Sequence, residues 1–120
     1  MAESEPTIQD DCVFCKIISG AIPVEFLYRS ERVVAFNDLA PQAPVHVLVV
    51  PIAHHENISA SASASASTVG ELFVAAGEIA QAQGISEYRT VANTGAGAGQ
   101  SVFHTHLHLL AGRAFAWPPG

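Results

Sequence analysis

A chain of 120 residues has enough material for one modest core, and a formal charge of −6 with only five lysines and arginines argues against a broad basic face for nucleic acid or anionic membranes. Any phosphate ligand must then be held by a few local donors. No stretch approaches the length of a membrane span, and Met1-Ala2-Glu3-Ser4-Glu5-Pro6 lacks the basic and apolar regions of a secretory leader, so the expected compartment is the cytoplasm.

In chain order, residues 1–10 are polar and acidic and are expected to form a disordered tail, with one domain over 11–120. Between Asp11 and Gly20, suitable start and stop residues, the spacing of Val13 or Phe14 with Ile17 and Ile18 predicts a short helix. Glu25 to Arg29 and Arg32 to Phe36 are rich in aromatic and β-branched residues and flank Ser30-Glu31, which predicts a hairpin. Two prolines and an Asx pair make residues 37–44 an ordered loop. The run Val45 to Val50 is nearly all apolar, as in a central strand covered on both faces, and Pro51 ends it. Ser59 to Ser67 alternates Ser and Ala without β-branched or aromatic residues, which suits a polar loop or the opening turn of a helix. From Thr68 a 3.6-residue period through Val69, Leu72, Phe73, Ala76, Ile79, Ala80 and Gln83 predicts the main helix, with Thr68 and Glu71 as a capping box and Gly84 as the stop. Tyr88 to Asn93 and Val102 to Ala111 read as two further strands. Short connections favour antiparallel pairing, so the expected fold is α+β: about five antiparallel strands, one long and one short helix, and the helices on one face.

The last strand carries the chemistry. In His104-Thr105-His106-Leu107-His108-Leu109-Leu110 the period-two alternation of a strand places three imidazoles on one face and Thr105, Leu107 and Leu109 on the other. Three groups that titrate near neutrality are not a packing pattern, and two readings compete: a metal cluster, or a histidine nucleophile between two histidine neighbours. Just before the strand, Gly95, Gly97 and Gly99 allow backbone N–H groups to approach an anion, and Gln100 and Ser101 add side-chain donors. Neither a Walker loop nor a dinucleotide fingerprint fits, because no Lys follows and a strand replaces the helix. Phosphate donors beside a histidine nucleophile would make a phosphoryl-transfer site. Cys12 and Cys15, spaced C-x-x-C, suggest half a zinc site or a redox pair. His46 alone, in a core strand, would ordinarily be a hydrogen-bonded structural residue.

Together these segments resemble the histidine triad (HIT) superfamily, in which three histidines alternate with apolar residues; Thr105 departs mildly from that pattern. The likeness extends to Phe14-x-Lys16-Ile17-Ile18, Ala35-Phe36-Asn37-Asp38-Leu39, Pro41-Gln42-Ala43-Pro44-x-His46, Gly99-Gln100-Ser101-Val102 and Trp117-Pro118-Pro119-Gly120, which look like the Hint branch of histidine-triad nucleotide-binding proteins. The resemblance implies a HIT-like sheet continued across a homodimer. It also implies a purine nucleoside phosphoramidase that cleaves the P–N bond of AMP or GMP amine conjugates through a nucleotidyl-histidine on His106. By the same resemblance His108 and His46 line the phosphate and hold His106, and Ser101 helps the departing amine, with Asn93, Gly99 and Gln100 nearby. Asp38 would accept the ribose hydroxyls at the far end of a cleft whose walls are Val13, Phe14, Ile17, Ile22, Phe36, Asn37, Leu39 and Val102. Trp117 would reach the partner's site.

No cofactor is implied for catalysis. Several microbial relatives of this kind hold a structural zinc, and the resemblance supplies candidates for it in Cys12, Cys15, His54 and His104, with His55 adjacent as an alternative to His54. Four such ligands close a tetrahedral site, so removing the metal would cost stability and leave the nucleotide chemistry unaltered. The rival readings are a zinc hydrolase with all three triad imidazoles on a catalytic metal, a non-catalytic nucleotide-binding or scaffold protein, and a dinucleoside polyphosphate hydrolase of the same superfamily.

Overall fold

The computed structural model describes residue 9 and residues 11–120; the expected disordered tail over 1–10 lies, Gln9 apart, outside the described residues. Helix α1, Val13–Ser19, starts one residue later than the sequence suggests. Its cap is Cys12, whose Sγ accepts from the Cys15 N–H at 3.4 Å, and not Asp11. Gly20 closes it at φ 90°, in the left-handed region that glycine adopts without a Cβ clash, and returns its N–H to Ile17 O.

Strands β1 (Tyr28–Arg29), β2 (Val33–Asn37), β3 (Val45–Pro51), β4 (Arg89–Val91) and β5 (Leu107–Ala111) form one antiparallel sheet in the order β1-β2-β3-β5-β4. The predicted hairpin is present, with its first strand reduced to two residues. Between β3 and β4 stand two helices, α2 (Ile58–Ala64) and α3 (Ala66–Ala82). Of the two readings of the Ser/Ala stretch, loop or opening of a helix, the helical one is found, as a helix separate from α3: Asn57 caps α2 by accepting the Ala60 N–H at 2.9 Å, and Ser65, extended at φ −160°, divides it from α3. The capping box is also absent. Ser65 stands at the start of α3, its hydroxyl 2.8 Å from that of Thr68, while Glu71 lies 3.4 Å from Arg32.

Strand alternation divides the core into two layers. Val33, Ala35, Val47, Val49, Leu107 and Leu109 face Leu72, Ala75, Ala76 and Ile79 of α3. Val34, Phe36, Leu48 and Val50 face Cys12, Phe14, Cys15 and Ile17 of α1. Helices thus cover both faces, against the one-face arrangement expected, and this is why β3 is apolar on both sides. Phe73, which the helical period assigned to the core, is 48% exposed beside Val74 at 57%. No helix among the described residues is long and apolar enough to cross a membrane.

The His run is only partly strand. β5 begins at Leu107, so His104 and His106 precede the sheet in irregular backbone and only His108 is a strand residue, paired opposite Leu48. Thr105 lies buried on the inner side. Its hydroxyl meets the Ser61 hydroxyl at 2.6 Å and reaches His55 O, and its N–H donates to the same carbonyl at 2.9 Å. The polar residue in an otherwise apolar pattern is satisfied by the one buried serine of α2, which ties that helix to the His segment.

Candidate active site and metal cluster

The α1-side layer of the sheet carries two polar constellations that meet at His104. Alternation from Leu48 and Val50 places His46 on that layer, and His108, opposite Leu48, joins it. Backbone groups fix the tautomers of His46 and His106, and the His46 ring fixes that of His108. The Gln42 N–H donates to His46 Nδ1 at 3.0 Å, so the proton of His46 sits on Nε2. That Nε2–H donates to His108 Nδ1 at 2.8 Å, which leaves His108 with its own proton on Nε2. His106 donates from Nδ1 to His104 O at 2.8 Å, so the free lone pair of His106 is on Nε2. His106 and His108 are neighbours, with ring centroids 5.0 Å apart, and Phe14 stands edge-on to His106 at 5.1 Å. The result is a neutral imidazole with an accepting nitrogen, beside a second imidazole whose available nitrogen is a donor.

Burial disfavours the charged forms of His106 and His108. His108 is pushed down to about 4 by loss of solvent, with His106 and His46 adding, and burial also lowers His106. The sign follows directly: the unfolded chain binds a proton at His108 near 6.5 and the folded chain only near 4, so stability is full above about 6.5 and falls as pH drops toward 4. Urea midpoints across that window are expected to fall less steeply in His108→Asn, the difference amounting to about 2 kcal/mol once screening of the half-buried ring is allowed for. Parallel pH profiles for the two proteins would contradict the assignment.

Asp38, His46 and His108 bring ligand-type atoms within 4.8 Å of one another. They do not fit a cation, because an imidazole that accepts from Gln42 at Nδ1 must carry its proton at Nε2, where a metal would have to bind. The three triad imidazoles do not form a ligand group among the described residues either.

The second constellation is Cys12, Cys15, His54 and His104, all of whose ligand atoms lie within 4.8 Å. His104 Nδ1 is 3.4 Å from Cys12 Sγ, 3.6 Å from Cys15 Sγ and 3.0 Å from His54 Nδ1, and His54 Nδ1 is 3.4 Å from Cys15 Sγ. Tetrahedral coordination with the usual Zn–S and Zn–N lengths sets S···N edges of about 3.5 Å and N···N edges of about 3.3 Å, so the donor set fits such an ion. His104 donates from Nε2 to Pro51 O at 2.8 Å, which turns the Nδ1 lone pair toward the cysteines. Burial lowers His104 to about 4 and also lowers His54, while burial raises the Cys15 thiol. Of the adjacent pair, His54 supplies the ring. His55 contributes its carbonyl to Thr105.

Other predicted residues are placed less simply. Asp38 is not remote from the imidazoles: its Oδ2 is 3.4 Å from His46 Nε2, and its Oδ1 accepts from Ala40 N–H. Gln100 is buried, and its side chain accepts from Gly95 N–H and donates to Glu56 O and Val102 O, so both ends are committed to shaping the glycine loop. Asn93 packs its amide against Gly99, which sits at φ 101°. Phe14, Ile17 and Phe36 are core residues, with Ile22 and Val102 packed at its margin. Val13, Asn37, Ser101, Leu39 at 92% and Trp117 at 82% are exposed. Sequence reasoning did not find Gln42 N–H, Pro51 O or His104 O as site groups. Main-chain atoms leave no residue signature, and only the Pro41-Gln42-Ala43-Pro44 context pointed near one of them.

An antiparallel five-stranded sheet bearing a clustered set of imidazoles and a Cys₂His₂ donor group defines the class of protein. The family described as "Scavenger mRNA decapping enzyme C-term binding" matches residues 11–115. An uncharacterized HIT-like protein of Synechococcus elongatus is 44% identical over 114 residues, covering 94% of this chain and all of that protein, and another from Synechocystis is 45% identical over 112 residues, covering 92% and 98%. A HIT family hydrolase from Clostridium thermocellum superposes with a TM-score of 0.86 at 41% identity, covering 90% of this chain and 96% of that one. A histidine triad protein from Clostridium difficile gives 0.87 at 38%, covering 92% and 97%. The chain belongs to the histidine triad superfamily and has its fold.

Proposed function

We propose that this chain is a nucleoside phosphoramidate hydrolase of the Hint branch. The observation that carries the reading is the His106 ring, whose Nδ1–H on His104 O leaves an unprotonated Nε2 at a site where burial keeps it so. In the proposed reaction Nε2 forms a bond to the α-phosphorus as the P–N bond to the amine breaks. Ser101 relays a proton from solvent water to the departing amine, a proton given back to solvent when water later attacks phosphorus, and His108, with its proton on Nε2, donates to a non-bridging phosphate oxygen. Water then cleaves the nucleotidyl-imidazole bond, which releases the nucleotide and restores Nε2.

Asp38 is assigned to the ribose hydroxyls through the lone pairs that Ala40 and His46 do not use, and the residues around Phe14, Ile17, Ile22, Leu39 and Val102 to the purine. Zinc is proposed for the Cys12, Cys15, His54 and His104 cluster, as a structural ion. A homodimer is proposed on two features: among the described residues β4 pairs only with β5, which leaves its outer edge open, and Phe73 and Val74 expose apolar area on α3. Trp117, largely exposed, is assigned to the partner's site.

Turnover of a fluorogenic adenosine 5′-phosphoramidate, measured beside diadenosine polyphosphates, tests the substrate class. The expected result is a kcat/KM for the phosphoramidate at least about 10²-fold above the others. Preference for the polyphosphates would assign the chain to dinucleoside polyphosphate hydrolysis instead. Binding of AMP without turnover of either class would make it a sensor or scaffold.

A further inference from the structure

The turn that follows β5 reaches back to the loop that carries Gln42, and it does so at two independent points. Gly112 sits at φ 96°, and a Cβ placed there would lie 2.8 Å from Pro44 Cβ, so the chain passes against the loop with no room for a side chain. One residue on, Arg113 donates from Nε to Gln42 O at 3.1 Å and from Nη1 to Ala114 O at 3.1 Å. The guanidinium is itself fixed. It lies 4.3 Å from the Phe115 ring centroid, and Arg89 packs on the same ring at 5.3 Å while donating to Ala116 O. Two of the chain's five basic side chains are thus spent on this segment, and neither makes a salt bridge among the described residues.

Gln42 joins this anchor to the imidazoles. Its carbonyl takes the Arg113 N–H and its own N–H goes to His46 Nδ1 at 3.0 Å, while its side chain turns away to Ala40 O. We infer that Arg113 is a positioning residue for the histidine pair: by fixing Gln42 it holds the N–H that selects the His46 tautomer, and through the His46–His108 bond it sets which nitrogen of His108 bears the proton. Arg113 touches none of the imidazoles and acts only through Gln42. The loop is otherwise exposed at Pro41, Gln42 and Pro44, so without the anchor the N–H would sample solvent. The kinetic consequence rests on the proposed phosphoramidate reaction, whereas the tautomer itself does not.

The test compares the full chain with Arg113→Met, which keeps the stem and removes the donor. The Gln42 amide proton is expected to exchange with solvent at least about tenfold faster in the variant, and the ¹⁵N resonance of His46 Nδ1 to move away from that of a hydrogen-bonded acceptor. His106 Nδ1, held by a different carbonyl, is expected to stay where it is. With a phosphoramidate substrate, kcat is expected to drop about tenfold with KM changed less than about twofold, and Arg113→Lys to recover part of the loss. Wild-type exchange at Gln42 in Arg113→Met overturns the inference, as does lost protection with kcat unchanged. Should Arg113→Met loosen the whole sheet, Gln42→Pro deletes the N–H directly, and an unmoved His46 Nδ1 resonance there overturns it equally. If the wild-type chain hydrolyses no phosphoramidate, the proposed reaction fails while the resonance and exchange measurements still decide the positioning role.

Discussion

His106→Ala is expected to lower turnover of an adenosine 5′-phosphoramidate on the order of 10³-fold or more, with AMP affinity kept within about threefold. The reasoning is geometric. The only nitrogen of this ring with a free lone pair is Nε2, and the neighbouring ring in contact with it, His108, is held with its accepting nitrogen turned to His46. Neither His46 nor His108 can take over the attack without breaking the Gln42–His46–His108 chain of hydrogen bonds. Rapid-quench trapping on wild-type protein should show a nucleotide bound to His106, and the variant should show none. Turnover kept within tenfold in His106→Ala, or an adduct on another residue, would remove the nucleophile from the mechanism.

Withdrawal of the metal proposed for the Cys12, Cys15, His54 and His104 cluster is expected to lower Tm by about 10 °C or more, on the order of 3 kcal/mol, and Cys15→Ser to do the same without chelator. Burial is the cause. Cys15 and His104 are fully enclosed in the α1-side layer, so an ion held there would tie α1 to the His segment and to the loop after β3, and its removal would cut those links. The effect on kcat is expected to be small by comparison, because the His104 ring is also held at Nε2 by Pro51 O and so keeps its place when the metal leaves. Calorimetry and steady-state kinetics on the same stripped sample decide the matter. Loss of turnover with an unchanged Tm would mean that the ion belongs to the chemistry, as the zinc-hydrolase reading requires.

Much of this could be read from residues alone, and the gaps have definite physical origins. The order of strands and helices followed from local signals, such as the apolar run of β3 and the 3.6 period of α3. Periodicity does not say which face of a sheet a helix covers. Thus the spacing around Phe14 and Ile17 predicts the helix α1 but not that it packs on the face opposite to α3. It failed differently at α2, where alternating Ser and Ala gives no apolar stripe, and a single cap at Asn57 with one buried contact at Ser61 decides the conformation. Phe73 shows the reverse error: it is apolar and in phase with the core, yet it is half exposed, and the face of α3 packed on the sheet is carried by Leu72, Ala75, Ala76 and Ile79.

In the candidate site, residue types and spacing pointed to the His run and the C-x-x-C pair, whereas His46 beside His108, and His54 and His104 beside the cysteines, came only through the resemblance to the histidine triad superfamily. Two things were hidden. The strand rule explained His108 but not His104 and His106, which lie before β5. The groups that choose the tautomers of His46, His104 and His106 are an amide and carbonyls of the main chain, Gln42 N–H above all, and His108 follows from His46.

That last point bears on His104, whose ring belongs to the Cys₂His₂ group while its main-chain oxygen holds His106. The two duties are chemically separable. A replacement of the ring, by a third thiolate for example, would alter the ion-holding end and leave the oxygen where it is. Only a change in backbone path would reach the lone pair of His106. A substitution of the ring at position 104 is therefore expected to register first as lost stability at the ion-holding end, before anything changes at His106.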